Sequence, residues 1–213
     1  MNIKLLGFEE TKKLLRKYRI PFSKTELVKS KKEALKSAKV IGYPVILKGS
    51  SSKILHKTEK GLVKFKINDE KRLAKVFDEI IKSSKRTKIE EVLVQKMEQG
   101  IEMVCGMKRD ESFGSVLMFG LGGIFVEILK DVSFAISPVT KKEAIDMIKE
   151  IKGYKILRGY RGQLPIDFEK VSQILVQLSS LSMEHPEIKE IDLNPVFADG
   201  KNIRVADAKF LLY

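Results

Sequence analysis

The sequence is poor in the residues from which disulfide frameworks and zinc sites are built. Its 213 residues include one cysteine, two histidines and no tryptophan. A single cysteine excludes a disulfide within the chain, and because Cys105 lies in an apolar run we predict a buried structural thiol. The sequence also lacks zinc-ligand spacing, a Walker loop, a nucleophile elbow and internal repeats. It therefore predicts a reducing, intracellular setting and excludes those classes of site.

Long apolar runs are missing as well. No run reaches the ~18 residues that a membrane-spanning helix needs. Residues 1–20 form a charged amphipathic pattern without the apolar core of a signal peptide. We therefore predict a cytoplasmic protein that makes no membrane contact. Hydrophobic residues still make up 43% of the chain, which is close to globular usage and predicts a chain that is folded throughout.

Positive charge is in excess. The chain has 41 lysines and arginines against 28 aspartates and glutamates, a formal net charge of +13. Nucleic acid, nucleotide phosphates and an acidic subunit would all suit such a surface. The lysine-rich stretches Lys29–Lys39 and Lys82–Lys88 have helical spacing and few aromatics, which favours solvated helix faces. Charge alone does not choose between these partners.

A hairpin near the C-terminus is the most informative stretch. Two apolar-rich runs flank Asp199-Gly200, a dipeptide typical of tight turns between strands. If residues 199–202 form the loop, Ala198 pairs with Ile203. Counting outward from that pair sets the register of the whole hairpin.

The register brings three oxygen-bearing side chains together. Asn194 falls opposite Asp207, and because strand side chains alternate, Asp192 is predicted on the same face. Mg²⁺ prefers carboxylate and carbonyl oxygens, retained waters and substrate phosphates. A solvent-facing polar edge is the alternative interpretation, and this stretch alone does not decide between them.

Two earlier segments carry candidate residues with equally open interpretations. Val45–Gly49 is a short β-rich run, and its Lys48 is either an edge-strand lysine or a cation aimed at a phosphate. The polar loop that follows contains His56. A surface histidine usually has no role, but an exposed imidazole can also accept a phosphoryl group.

The glycine-rich stretch Gly120–Gly123 does not have dinucleotide-fingerprint spacing. The residues after it, Ile124–Leu129, read as a strand, so a Rossmann site is excluded on context. Glu127 lies inside this apolar run, where a half-buried carboxylate needs a partner.

Further on, Gly153–Gln163 reads as a loop. Thr140 with Glu143 forms a capping-box pattern.

Taken in order, these stretches resemble the ATP-grasp subunit of the ADP-forming acyl-CoA synthetases, of the archaeal acetate–CoA ligase type. The matching stretches cover nearly the whole chain: Gly42–Lys48, Ile54–Glu59, Val92–Gln95, Phe119–Glu127, Lys130–Phe134, Gly159–Gly162 and Glu190–Pro195. The resemblance implies an α+β ATP-grasp fold in which two lobes clamp a nucleotide. We expect one domain over residues 1–213, with an N-terminal helix (1–20), a first lobe (about 21–90) and a second lobe (about 91–213).

The resemblance also implies an activity and its participants. The reaction is acyl-CoA, ADP and phosphate giving acid, CoA and ATP, with a phosphoryl group passing between a phosphohistidine and ADP. ATP or ADP and Mg²⁺ are the implied ligands. The CoA site and the main phosphohistidine belong to a separate alpha subunit, in a heterotetramer.

Residue roles carry over from the same resemblance. Lys48 would contact the nucleotide phosphates, Asn194 and Asp207 would bind Mg²⁺, and Asp192 would face the migrating phosphoryl group. His56 would be a transient phosphoryl carrier. The remaining nucleotide-binding residues are Gln95, Glu98, Glu102 and Glu127, of which the first three lie on the adenosine side.

Two departures from the family pattern concern specificity and loop motion. Leu62 stands where paired glycines usually follow the loop histidine, and Ala135 replaces a common arginine. Two other functions remain open at this stage, a stand-alone ATP-grasp carboxylate ligase and, less favoured, a basic nucleic-acid-binding module.

Overall fold

The computed structural model describes residues 3–50, 63–87, 91–160 and 164–213, with the backbone alone for Ser50, residues 84–87, Ile124, Phe125 and Glu127. The chain divides into two compact units, one of Ser23–Met97 and one of Met1–Phe22 with Glu98–Tyr213. We call them the small and the large unit and describe each by itself. The lobe boundaries expected from the sequence stay a prediction.

The described residues form alternating strands and helices. In chain order these are β1 (Lys4–Leu5), α1 (Phe8–Lys17), β2 (Thr25–Val28), α2 (Lys31–Ile41), β3 (Val45–Ser50), β4 (Val63–Ile67), α3 (Glu70–Thr87), β5 (Glu91–Lys96), β6 (Ile101–Asp110), β7 (Gly114–Leu121), α4 (Ile124–Leu129), β8 (Val132–Ile136), α5 (Lys141–Glu150), α6 (Tyr154–Leu157), α7 (Phe168–Glu184), β9 (Ile188–Asp199), β10 (Asn202–Val205) and β11 (Ala208–Leu212).

The small unit is a four-stranded antiparallel sheet with two helices on one face. The strand order is β2-β5-β3-β4, and α2 and α3 pack against it. Val45, Leu47 and Val94 point into this core because side chains alternate along each strand. Helix α2 starts at Ser30, whose hydroxyl accepts the Glu33 N–H at 3.2 Å, as an N-cap requires.

The large unit is a seven-stranded antiparallel sheet in the order β1-β11-β9-β6-β7-β8, with β10 paired to β9. Helices α5 and α7 pack against one face of it. Cys105, Leu117 and Phe119 project into the core on that face and are fully buried. Burial raises the pKa of the Cys105 thiol to about 12, so the predicted buried structural thiol is confirmed.

Helix ends follow their capping signals. The predicted capping box at α5 is confirmed, since Thr140 Oγ1 accepts the Glu143 N–H at 3.3 Å and the Glu143 carboxylate accepts the Thr140 N–H at 2.7 Å. Within the described residues, no helix is both long enough and apolar enough to cross a bilayer.

Two sequence-based expectations about local structure are wrong. Ile124–Leu129 forms helix α4 instead of a strand, because β7 is already paired on both edges and offers this segment no partner. The chain turns away at Gly123, where φ is +59°. A Rossmann site stays excluded, since the β6–β7–β8 pairs are antiparallel.

The segment expected to be a loop from Gly153 contains helix α6. The carboxylate of Asp131 accepts the backbone N–H groups of Lys152 and Gly153, both at 2.7 Å. These donors lie immediately before α6, so a side chain distant in the sequence fixes the backbone at the point where this helix begins.

Candidate functional site

The C-terminal hairpin forms in the predicted register. Ala198 pairs with Ile203, and Asp199 with Asn202. Gly200 and Lys201 make the turn, and Gly200 has a φ of +55°, which a glycine adopts without strain.

Asn194 lies opposite Asp207, as predicted. The Asn194 N–H donates to the Asp207 carbonyl oxygen at 3.1 Å. On one side of this pair Lys209 pairs with Asp192. On the other side Val205 pairs with Val196. The register of β9 against the returning chain is therefore continuous through the three candidate residues.

The alternation along β9 is interrupted beside these residues. Leu193 and Val196 both point into the core although they are three positions apart. Against β6, Cys105 pairs with Leu193 and Met103 with Val196, so β9 carries one extra residue. This is a β-bulge, a feature that re-aims side chains next to functional sites. Strict alternation, on which the prediction rested, fails here, although Asp192 and Asn194 both lie outside the core.

Asp192 has an electrostatically unfavourable position for a carboxylate. Burial is the main reason that its pKa is raised, and the negative charges of Asp207 and Glu190 raise it further. Lys209 acts in the opposite direction, with Nζ 3.8 Å from Asp192 Oδ2. A cation bound nearby would relieve this crowding of negative charge.

The donor chemistry suits Mg²⁺, but the protein alone does not complete a site. Asn194 and Asp207 offer an amide oxygen and a carboxylate, both hard ligands. Among the residues that the structure describes, no group of three or more His, Cys, Asp or Glu could hold a metal. Mg²⁺ commonly takes one or two carboxylates and completes its shell with waters and substrate phosphates, and this arrangement fits that pattern.

In the small unit, Lys48 and Gln95 share the sheet face opposite α2 and α3. Lys48 pairs with Leu93, and Gln95 with Ile46, on adjacent strands. The alternative of an edge-strand lysine is wrong, because β3 lies between β5 and β4. Lys48 is only 8% exposed, so the sheet restricts the direction of its ammonium group.

Gln95 is held by a short polar chain. Its Nε2 donates to Thr25 Oγ1 at 2.8 Å, and Thr25 Oγ1 donates to the Ser23 carbonyl at 2.9 Å. The amide of Gln95 is fully buried, which fixes its orientation.

The other predicted nucleotide residues belong to the large unit. Glu98 is half-buried just after β5, and Glu102 is exposed on β6. The Gly122 N–H donates to the Glu102 carbonyl at 2.8 Å. A Cβ at Gly122 would lie 3.0 Å from the Glu102 Cβ, so the glycine-rich stretch permits the close approach that positions Glu102.

Two predicted residues cannot be placed in the site. His56 lies outside the described residues. Glu127 belongs to α4 and not to a strand as expected, and of its side chain the structure describes nothing.

Sequence reasoning missed a cleft beside Asp192. It has a volume of about 350 Å³ and is lined within the large unit by residues that include Gly106, Met118, Phe134 and Asp192. Gly106 inside the apolar run of β6 was the available signal, since a glycine within a strand often marks close approach by another group.

Comparison with known proteins decides the family. A model of the ATP-grasp domain matches residues 2–212. The chain belongs to the ATP-grasp family. The predicted ATP-grasp fold, built from helices and sheets, is thereby confirmed.

This ATP-grasp chain is 41% identical to the acetate–CoA ligase (ADP-forming) I subunit beta of Pyrococcus furiosus, over 95% of this chain and 90% of the relative. Its structure matches the dinucleotide-forming acetyl-coenzyme A synthetase 1 of Ca. Korarchaeum cryptofilum, in complex with coenzyme A and Ca-AMPCP. The TM-score is 0.94 at 41% identity, covering 99% of this chain and 94% of that one. Another structure of that enzyme has its phosphohistidine segment pointing towards the nucleotide-binding site.

A third relative is longer. The acetate–CoA ligase (ADP-forming) I of Archaeoglobus fulgidus is 43% identical over 93% of this chain, which spans only 30% of that protein's length. The predicted resemblance and enzyme class are confirmed: the chain is an ATP-grasp member of the ADP-forming acid–thiol ligases.

Proposed function

We propose that this chain is the nucleotide-binding beta subunit of an ADP-forming acyl-CoA synthetase. In the direction of ATP synthesis, a phosphoryl group moves from a phosphohistidine to ADP, while acyl-CoA and phosphate become acid and CoA. The observation that carries the proposal is the hairpin, which sets Asn194 opposite Asp207 with Asp192 two residues away on β9. The identity to a named beta subunit supports it.

In the small unit, Lys48 neutralises charge on the nucleotide phosphates, and Gln95 contacts the adenosine side. Both side chains are buried on the two central strands of the sheet. They are therefore already ordered and lose little conformational entropy when the nucleotide binds. In the large unit, Glu98 and Glu102 complete the adenosine contacts. Glu127 belongs to the same proposed set by resemblance.

Asn194 and Asp207 are the residues that would hold Mg²⁺ with the nucleotide. When bound, the ion would offset negative charge on the phosphates, which is a main requirement of phosphoryl transfer. Asp192 lies beside them and orients the histidine that gives up or accepts the phosphoryl group. His56 serves as a transient carrier in the same proposal.

A separate CoA-binding alpha subunit supplies the rest of the reaction. Two features support this: a similar protein is named a beta subunit, and the chain spans 30% of a longer ligase. The main phosphohistidine belongs to that subunit, and we propose a heterotetramer of two large and two small chains.

ATP formation by the reconstituted enzyme tests the proposal. The chain is mixed with its cognate CoA-binding subunit, acetyl-CoA, ADP, phosphate and Mg²⁺, and ATP is measured with luciferase. We expect ATP from the mixture and none from the chain alone, with Asp192→Asn at least about 100-fold slower. Asp199→Asn, at the turn of the same hairpin, is the matched control and should retain the wild-type rate.

Two results would overturn this assignment. Activity of the chain without the other subunit would indicate a stand-alone ligase. Failure of the mixture to form ATP from acetyl-CoA, and from a panel of longer and aromatic acyl-CoA esters, would reject the synthetase function.

A further inference from the structure

Gln95 and Thr25 face each other across two strands of the small unit. They are direct partners in the antiparallel β2–β5 pair. Both side chains are almost fully buried, with exposures of 1% for Gln95 and 2% for Thr25. The two ends of an amide have opposite hydrogen-bonding requirements, because the nitrogen donates and the oxygen accepts. In a buried amide the neighbouring groups therefore decide in which direction each end points.

The proton of the Thr25 hydroxyl decides the orientation of this amide. Thr25 Oγ1 donates to the Ser23 carbonyl at 2.9 Å, and a hydroxyl has only one proton to donate. Towards Gln95 the hydroxyl therefore acts as an acceptor, and Gln95 Nε2 donates to it at 2.8 Å. The carbonyl oxygen of the Gln95 amide is thereby directed away from Thr25, so the amide presents an acceptor on that side.

Hydrogen bonds to the end of β5 hold the segment before Thr25 in place. The Lys96 N–H donates to the Lys24 carbonyl at 2.8 Å, and the Ser23 hydroxyl donates to the Lys96 carbonyl at 3.3 Å. If the Gln95 amide were reversed, its oxygen would point at Thr25. The hydroxyl would then have to leave the Ser23 carbonyl in order to donate to Gln95, so the reversal costs one buried hydrogen bond.

Apolar side chains adjoin the Gln95 amide on the same face of the sheet. Ile46 is its partner on β3, and Leu93 lies two residues before it on β5 and pairs with Lys48. Ile46 and Leu93 are buried, although alternation along the strands sets them on the face opposite α2 and α3. This face therefore combines an apolar surface, the acceptor of Gln95 and the ammonium group of Lys48, which together suit a purine base and its phosphates.

We propose that Thr25 is a positioning residue that sets the purine preference of this site, by holding the Gln95 amide so that its carbonyl oxygen accepts from the exocyclic amino group of adenine. The inference rests on the proposed function, since it takes Gln95 as a residue at the base, and it adds the class of purine that is selected. Guanine and hypoxanthine carry an oxygen where adenine carries this amino group. Two acceptors would then face each other, and binding would require the reversed amide.

Calorimetric titration of the full chain with ADP and with inosine diphosphate, both in the presence of Mg²⁺, tests this proposal. Inosine diphosphate has an oxygen in place of the amino group of adenine, so the ratio of the two dissociation constants reports how that group is read. Thr25→Val removes the hydroxyl at nearly constant shape, and Thr25→Ser keeps it. Thr11→Val is the matched control, because Thr11 is also a buried threonine but belongs to α1 in the large unit.

We expect the wild-type chain to bind ADP at least about tenfold more tightly than inosine diphosphate, because reversal of the amide costs a buried hydrogen bond. In Thr25→Val neither orientation of the amide has the hydroxyl as a partner, and the ratio should fall to within about twofold of unity. Thr25→Ser and Thr11→Val should keep the wild-type ratio. If Thr25→Val weakens the binding of both nucleotides and leaves the ratio unchanged, Thr25 only supports the fold and the proposal is wrong.

Gln95→Glu provides a second test that does not depend on the folding of Thr25→Val. A carboxylate accepts with both oxygens and cannot donate, so it accepts from adenine and has no orientation that suits the oxygen of hypoxanthine. The ratio should therefore rise at least about threefold above that of the wild type. A ratio that stays the same or falls would contradict the assignment of Gln95 and Thr25 to the base.

Nucleotide binding separates this proposal from the synthetase assignment. Discrimination that depends on Thr25, in a chain that forms no ATP with the CoA-binding subunit, would support the purine preference and reject the synthetase function. ATP formation by the mixture, together with equal affinities of the wild-type chain for ADP and inosine diphosphate, would do the reverse. A wild-type chain that binds neither nucleotide would also reject the purine preference.

Discussion

At the scale of single residues, the position of Asp192 is unfavourable for an ionised carboxylate. Burial and the carboxylates of Asp207 and Glu190 disfavour its charge, and Lys209 compensates in part. Such strained electrostatics are common at sites that handle charged substrates. Replacing the residue should therefore separate stability from activity.

We predict that Asp192→Asn is more stable than the wild type at pH 7 in the presence of EDTA. A raised pKa means that the folded chain binds the proton more tightly than the unfolded chain. The favourable contribution is present below the unfolded value and is lost as pH rises through the folded pKa. Ionised Asp192 thus costs stability at neutral pH, and asparagine removes that cost.

Thermal unfolding at a series of pH values checks this. The melting temperature of Asp192→Asn should exceed that of the wild type at pH 7, and the difference should shrink towards pH 3, where Asp192 is protonated. A variant that is less stable than the wild type at pH 7 would show that the Lys209 ion pair outweighs burial.

At the scale of secondary-structure elements, local signals determine most helix ends and the hairpin. Ser30, Thr140 and Asp167 each accept a backbone N–H at the start of a helix. Their side chains satisfy donors that the first helical turn leaves free. These are short-range effects, so the sequence predicts them well.

The capping box of α5 yields a pH-dependent prediction. Thr140→Ala should cost about 1 kcal/mol of unfolding free energy, and Thr140→Ser, which keeps the hydroxyl, much less. Hydrogen bonds from Thr140 hold the pKa of Glu143 below its ordinary value of 4.5. Their contribution is present above the unfolded pKa and is lost as pH falls through the folded one.

Urea unfolding of these variants at pH 7 and at pH 3 measures both effects. The gap between Thr140→Ala and the wild type should be smaller at pH 3, because a protonated Glu143 no longer accepts as an anion. An equal gap at both pH values would mean that the hydrogen bond from the Thr140 hydroxyl to the Glu143 carboxylate contributes nothing to the cap.

Strand pairings between residues far apart in the chain could not be predicted from the sequence. The hairpin register followed from Asp199-Gly200, but the pairing of Gly106 with Asp192 joins residues far apart in the chain. No local pattern encodes that pairing, so the cleft was missed. Helix α4 differs from the predicted strand because its β-branched and aromatic residues favour strands, while β7, the strand before it, is already paired on both edges.

At the scale of the whole molecule, the positive charge is unevenly distributed. Residues 23–97 hold 20 lysines and arginines against 9 aspartates and glutamates, a net charge of +11 out of the total of +13. Two ion pairs join α2 to α3, Lys31 with Asp78 and Lys39 with Glu70, all with exposed side chains. Ten of these 20 lysines and arginines belong to α2 and α3. Exposed ion pairs of this kind add little stability.

The two units together carry the residues that the resemblance assigned to nucleotide and metal. The small unit provides Lys48 and Gln95, and the large unit provides the hairpin. Fold and family could be predicted from the sequence because the matched stretches cover nearly the whole chain, from Gly42 to Pro195. The β-bulge at Asn194 could not be predicted from the sequence, because it depends on how β9 pairs with β6.

Calorimetric titration of the purified chain with ADP tests the central claim most directly. It is made with and without Mg²⁺, for the wild type, for Asp207→Ala and for Asp199→Ala at the turn of the same hairpin. We predict Mg²⁺-dependent binding by the wild type and Asp199→Ala, and a loss of at least about tenfold in affinity for Asp207→Ala. Unchanged Mg²⁺-dependent binding by Asp207→Ala would contradict the assignment of the hairpin as the metal and nucleotide site.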